Sequence, residues 1–203
     1  MPRVSKQPRT LQLCYVRGRS QYRVSSSRSS STGHGSEFGL GEAWEVRSAV
    51  EDLFLRRWSP RAFVETPIDT DSLKAIFSAG RWAASSFNEQ PWRFVVGRKG
   101  DSVWQRIFES LVPANRSSTK SAPVLFASFA KKTFSQNGVA NRVAQHDVGA
   151  ASAQISLEAT ARGLYTHGMA GFDPAKLATS FGAPNDFEAV ACWAWVTAAI
   201  PRR

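Results

Sequence analysis

Apolar residues show no periodicity over positions 1–43, where Ser25–Ser31 is nearly all serine and Gly33, Gly35, Gly39 and Gly41 follow. Such a stretch buries too little apolar surface to offset the entropy of ordering it, so it reads as a tail. From Trp44 the pattern changes. Val46, Ala49, Val50, Leu53 and Phe54 recur at helical spacing, and Pro60 stops the helix near Arg57. Leu73, Ile76, Phe77 and Gly80 mark one face of a second helix from about Asp71 to Ala83, capped by Asp69 or Thr70. Phe94-Val95-Val96 predicts a short strand ended by Gly97, and Asp101–Leu111 a helix. Val124–Phe129 is an apolar run of strand length.

The longest helix is expected over Gln145–Arg162, with Ala150, Ala153 or Gln154, Leu157 and Ala161 forming a face of small residues and Gly163 as C-cap. Leu164–Thr166 predicts a brief strand. Asp173-Pro174 opens another helix with an acid at the N-cap and proline at the first position. Phe187–Ala198 reads as a buried strand rich in aromatic and branched residues. Helices and strands intermix without strict βαβ alternation. The fold class is therefore α+β, a layered domain over residues 44–203 with helices packed on a mixed central sheet. The small-residue face implies close helix packing in the core or across a dimer.

Composition changes this picture little. The 203 residues suffice for one domain with a sizeable core. No run of about 18 apolar residues occurs, so no membrane span is expected. Cys14 and Cys192 offer neither metal-ligand spacing nor a disulfide framework. The net charge of +10 is concentrated at the start: residues 1–36 hold seven Lys and Arg and no acid, which leaves 19 bases against 16 acids elsewhere. Nucleic-acid binding through the body of the protein is thus not expected. Three readings of the tail stay open. It is a transit peptide, a basic arm for polyanions, or sequence introduced by cloning, since Gly35-Ser36-Glu37-Phe38 would be encoded by two adjacent common cloning sites. The expected location is cytoplasmic, or organellar if the tail is a native transit peptide.

The chain lacks obvious reactive equipment of its own. No Ser-His-Asp set sits in motif context, and HExxH, P-loop and GxGxxG patterns are missing. That points to a borrowed cofactor or to no catalysis. In Arg57-Trp58-Ser59-Pro60-Arg61-Ala62-Phe63, alternate residues of an extended segment point the same way, so Arg57, Ser59 and Arg61 can converge on one anion. Taken alone, the same stretch reads first as an exposed basic turn. Ser85-Ser86-Phe87-Asn88-Glu89-Gln90-Pro91-Trp92 carries several donors and acceptors able to read a heteroaromatic edge, or is an ordinary polar loop.

Arg57–Phe63 resembles the pattern RRSxRxF of the FMN-dependent nitroreductase family, and Ser85–Trp92 its SSxNxQPW. His146-Asp147-Val148-Gly149 at the head of the long helix, and Gly163-Leu164-Tyr165 leading into Met169-Ala170-Gly171-Phe172-Asp173, are similar to the same family and occur in its order. The resemblance implies a three-layer α-β-α sandwich of obligate-dimer type, with two FMN sites at the interface of a homodimer. It implies that Arg57, Ser59 and Arg61 hold the phosphate and reach the pyrimidine edge of the flavin. Ser85, Ser86, Asn88 and, less firmly attached to the motif, Gln90 would come from the partner subunit. Asn115 would hydrogen-bond the flavin, and Ala170 and Gly171 would present backbone N–H groups toward flavin N5. Asp147 sits where some relatives have a glutamine near the flavin. The implied activity is electron transfer from NAD(P)H to nitroaromatic, quinone or similar small-molecule acceptors in two alternating half-reactions. Two other readings remain: a flavin binder with weak turnover, and an anion or nucleic-acid binder acting through the tail.

The family continues beyond its last core strand into a segment with a phosphate-binding Lys or Arg and an arm that embraces the partner. Here only Ile200-Pro201-Arg202-Arg203 follows the strand that ends near Ala198. The expectation is a missing arm, a lost phosphate contact and weaker FMN binding, with Arg202 or Arg203 as a substitute ligand the less favoured alternative.

Overall fold

Residues 50–196, which the computed structural model describes, form six α-helices, one 3-10 turn (Ser86–Asn88) and four strands. The expected tail, the first turns of the predicted N-terminal helix and everything beyond Val196 lie outside these residues. What remains of that helix is α1 (Asp52–Arg56), which buries none of its residues. A strap without regular structure follows. Helix α2 (Thr70–Gly80) begins where the Asp69 carboxylate accepts the Ser72 N–H, and it buries Leu73, Ile76 and Gly80.

The sheet comprises β1 (Trp92–Arg98), β2 (Val124–Lys131), β3 (Tyr165–Met169) and β4 (Phe187–Val196) in the order β1-β2-β4-β3. All three pairings among the described residues are antiparallel, not mixed as expected. The reason lies in the connection from β1 to β2. It contains α3 (Ser102–Ser110) and α4 (Pro113–Thr119), yet it leaves and re-enters at one end of the sheet, where Arg98 pairs with Val124 and Lys99 N–H bonds the Pro123 carbonyl. The helical insertion therefore serves as a long hairpin, not a crossover. β1 also runs through Gly97 instead of ending there. A Cβ at Gly97 would overlap the backbone of Trp104, so this glycine lets α3 lie directly on the strand.

Alternate residues of β2 feed two cores. Val124, Phe126 and Ala130 face α2 and α5 (Ala144–Ala161), while Leu125, Ala127 and Phe129 face α3 and α6 (Pro174–Ser180). The result is the three-layer α-β-α arrangement. The buried stripe of α5 is not the small-residue face expected from sequence. It consists of Val148, Ala151, Ser152, Ile155, Ser156, Ala159 and Thr160, whereas Ala153 and Ala161 are exposed and Ala150, Gln154 and Leu157 are half-buried. Small residues surround α5 on every side, so no apolar contrast identifies its inner face. Its polar residues are hidden because Ser152, Ser156 and Thr160 each donate to the carbonyl four residues earlier, at 2.8, 2.9 and 2.8 Å.

Candidate functional site

The strap after α1 runs along β3, the edge strand. Trp58 meets the Tyr165 ring edge-on with centroids 5.9 Å apart, and Phe63 meets the His167 ring at 6.2 Å. These contacts bring Arg57 and Ser59 to a groove of about 470 Å³ between the strap, the outer side of α5 and the edge of the sheet. Its floor is largely apolar and built of small residues: Gly149 and Ala153 from α5, Gly168 from β3, beside the ring of Trp193 from β4. Two glycines keep the floor clear. A Cβ on Gly168 would come within 2.8 Å of the Trp193 ring, and one on Gly149 would meet nothing within 4 Å, so it would project into open space. Arg57 and Ser59 are exposed at the rim.

Ser59 is not free to turn. Its Oγ lies 2.7 Å from Nδ1 of His167. Burial of His167, and secondarily the positive charge of Arg61, hold its imidazole below the usual histidine value and favour the neutral ring. Arg61 is thus near enough to act on this corner, although it does not line the groove.

The Ser85–Gln90 loop lies elsewhere in the same chain, between α2 and β1. Phe87, Asn88 and Gln90 all take positive φ angles, 51°, 53° and 52°, which side chains other than glycine rarely adopt. Several contacts hold this strained turn. The Asp147 carboxylate accepts the Ser86 N–H at 2.9 Å, Ser85 Oγ accepts the Gln90 N–H at 3.0 Å, and the Phe87 and Phe134 rings meet edge-on at 5.6 Å. Glu89 takes both the N–H and the hydroxyl of Ser135, at 2.9 and 2.6 Å. Asp147 is therefore a buried anchor for the loop, with His146 Nδ1 3.1 Å from its other oxygen, and it does not line the groove. Gln90 turns its amide back to the Arg81 carbonyl at 3.5 Å.

A third group surrounds the turn after β3. Asn115 Nδ2 donates to the Gly171 carbonyl at 2.9 Å, and the Val112 N–H donates to the same oxygen at 3.0 Å. A Cβ on Gly171 would lie 2.7 Å from Asn115 Nδ2, so this close approach requires glycine. Ala170 is exposed beside it. Asn115 spends its amide donor within the chain, and its helix α4 is an element that the hydrophobic pattern does not reveal.

The structure thus brings Arg57 and Ser59 together at one groove, places Arg61 close to them, and sets Ala170 and Gly171 in the turn just after β3. It does not bring Ser85, Ser86, Asn88, Gln90 or Asn115 into that groove within one chain. His167, Gly168 and Trp193 belong to the site without a sequence signal, since Ser59 and His167 are 108 positions apart, whereas Gly149 lies in the motif at the head of α5. Among the described residues, no helix is long and apolar enough to cross a membrane, and no cluster of His, Cys, Asp and Glu could hold a metal ion.

The family model of the nitroreductases matches residues 55–196. A crystal structure described as an oxidoreductase containing FMN superimposes with a TM-score of 0.70 at 32% identity, covering 74% of this chain and 78% of that one. A Streptomyces coelicolor protein with the provisional name NADH dehydrogenase/NAD(P)H nitroreductase is 26% identical, over 68% of this chain and 77% of its own. A Rhodopseudomonas palustris protein with the same kind of name is 28% identical over 74 residues, 36% of this chain, and the match spans 37% of the relative's length. The paired motifs, the three-layer fold and the matched span agree, and the chain belongs to the nitroreductase family.

Proposed function

We propose that this protein is an FMN-dependent oxidoreductase that passes electrons from NAD(P)H to nitroaromatic, quinone or similar acceptors. One observation carries the reading: an arginine and a serine stand at the rim of a groove of about 470 Å³ whose apolar floor is kept low by the small residues Gly149, Ala153 and Gly168. A guanidinium and a hydroxyl suit a phosphate, and a low apolar floor suits a planar ring system. The fit to FMN rests on that donor set and on the two glycines that leave the floor open. When bound, FMN supplies the acceptance and release of a hydride or of electrons.

The chain's own residues then bind, orient and tune. Arg57 and Ser59 receive the phosphate. Arg61 supplies a fixed positive charge that favours the electron-rich form of the ring. The Ala170-Gly171 turn, held by Asn115 and Val112, would offer small residues beside the bound ring, leaving room for a second flat molecule to stack. No side-chain acid or base is assigned a proton transfer.

The groove is open along the outer side of α5, where Ala153 and Ala161 are exposed. A second copy of the chain packed on that small-residue face closes it, and in this homodimer the partner's loop supplies Ser85, Ser86, Asn88 and Gln90. The strained turn anchored by Asp147 and Glu89 is consistent with a loop shaped in advance for such a task. The experiment is anaerobic mixing of the FMN-loaded protein with NADH or NADPH. Bleaching of the flavin band, followed by its return on adding a nitroaromatic or quinone, is expected. A flavin band unmoved by both nicotinamides contradicts the proposal.

A further inference from the structure

We propose that His167 is a positioning residue for the anion end of the groove: through Nδ1 it sets the direction of the Ser59 hydroxyl proton and so couples phosphate binding to proton uptake. This inference rests on the reading that Arg57 and Ser59 receive the FMN phosphate.

The geometry is as follows. Ser59 has one hydroxyl proton, and its Oγ lies 2.7 Å from His167 Nδ1. When Nδ1 is bare, it accepts that proton. Ser59 then turns lone pairs toward the groove, which disfavours an oxyanion beside it. The neutral ring can leave Nδ1 bare in this way, whereas the charged ring has no bare nitrogen and must donate from Nδ1 to Ser59, so proton uptake releases the hydroxyl proton toward the rim where Arg57 stands. Thr166 and Gly168, the neighbours of His167 along β3, line the groove. Alternation along the strand turns His167 to the other side, against Phe63. The ring therefore acts through Ser59 and does not touch the ligand.

The charged group that acts on this histidine is Arg61 on the strap, and Tyr165 is the titratable residue two positions away on its own strand. β4 sets Ala194 opposite it, and α5 presents Gly149, Ser152, Ala153 and Ser156 to the groove side, none of them charged. With the groove empty, burial and then Arg61 oppose the charged ring. An anion beside Arg57 and Ser59 offsets that repulsion and draws a proton onto Nδ1. By linkage, a proton on Nδ1 must in turn tighten the anion.

The test compares the protein with its His167→Asn variant, whose amide can bond Ser59 but does not titrate. FMN affinity is measured by flavin fluorescence from about pH 8.5 down to about pH 5.5, across the ordinary histidine range. Riboflavin serves as the phosphate-free control. The FMN phosphate itself titrates near a pKa of about 6, equally for both proteins, so the ratio of their dissociation constants isolates the histidine. That ratio (variant over wild type) should rise by up to about tenfold as the pH falls, the worth of one charge-assisted hydrogen bond. For riboflavin it should stay flat. Independently, histidine C–H resonances of the wild-type protein, with His167 assigned by its absence from the variant, should show His167 titrating below the usual value without FMN and higher with it. A flat ratio with FMN bound by both proteins, a parallel change for riboflavin, or a His167 resonance that ignores FMN overturns the inference and leaves the groove assignment standing. Failure of both proteins to bind FMN overturns the groove assignment and this inference together.

Discussion

Replacing Arg57 by alanine separates ligand binding from folding more cleanly than any other single change at this groove. The side chain is exposed, and the structural bond made by the residue, from its backbone N–H to the Leu53 carbonyl at 3.3 Å, survives the substitution. Arg57→Ala should therefore change stability by no more than about 0.5 kcal/mol, as for surface positions in general. The effect on FMN is larger. One charge-assisted contact to a phosphate is worth about 1.5–3 kcal/mol, or roughly ten- to a hundredfold in affinity. Because the rim is open to water in the single chain, solvent screening favours the lower end, about tenfold, and closure by a second copy moves the value upward. Titration of FMN fluorescence against the wild-type and variant proteins, with thermal melting alongside, measures both quantities. Riboflavin affinity should change far less, because the contact is to the phosphate. Equal FMN affinities in the two proteins, or an equal loss for riboflavin, would show that the phosphate lies elsewhere.

Three further outcomes follow from packing and burial. Gly168→Ala pushes a methyl group within 2.8 Å of the Trp193 ring, which itself stacks on Phe126 with 5.6 Å between centroids. It should cost about 1–3 kcal/mol in denaturant unfolding and shift indole fluorescence; an unchanged midpoint contradicts the packing. Asp147→Ala removes the acceptor of the Ser86 N–H, so hydrogen exchange in the Ser85–Gln90 loop should accelerate and stability should fall by about 1–3 kcal/mol. Unchanged exchange there means that the carboxylate is not the anchor. Burial pushes the Cys192 thiol up to about 12, only partly offset by the neighbouring Ser110 side chain. In a Cys14→Ser background, a thiolate reagent at neutral pH should then react only as fast as β4 opens. Because the unfolded thiol ionises first, stability should decline as pH rises above its ordinary value near 9. Rapid labelling of the native protein would show that Cys192 is accessible.

Much of the local structure is legible in the sequence because the signals are local. Asp69 and Asp173 cap α2 and α6 as their positions imply, accepting the N–H groups of Ser72 and Lys176, and Gly163 ends α5 with a φ of 75°. The fold class follows from the intermixed elements, and the two loop motifs together point to the family. What sequence does not show depends on distant partners. Whether the α3–α4 insertion crosses the sheet is decided by the pairing of Arg98 with Val124, not by either helix. The inner face of α5 is chosen by what packs on it, since alanine, serine and glycine occur all round and its hydroxyls satisfy themselves on the helix backbone. The positive φ angles at Phe87, Asn88 and Gln90 have no glycine to announce them. Asp147 and Asn115 resemble ligand-facing residues by position, yet each spends hydrogen bonds on a neighbouring turn. His167 enters the site only because the strap folds back onto β3.

The most direct measurement is the visible absorption spectrum of the purified protein after incubation with FMN and removal of unbound flavin by gel filtration. If Arg57, Ser59 and the apolar floor beside them form a flavin site, the protein fraction will be yellow, with a perturbed flavin band and up to one FMN per chain, and Arg57→Ala will lower that occupancy. A colourless protein fraction, with no change in the spectrum of added FMN at any protein concentration, would contradict the account.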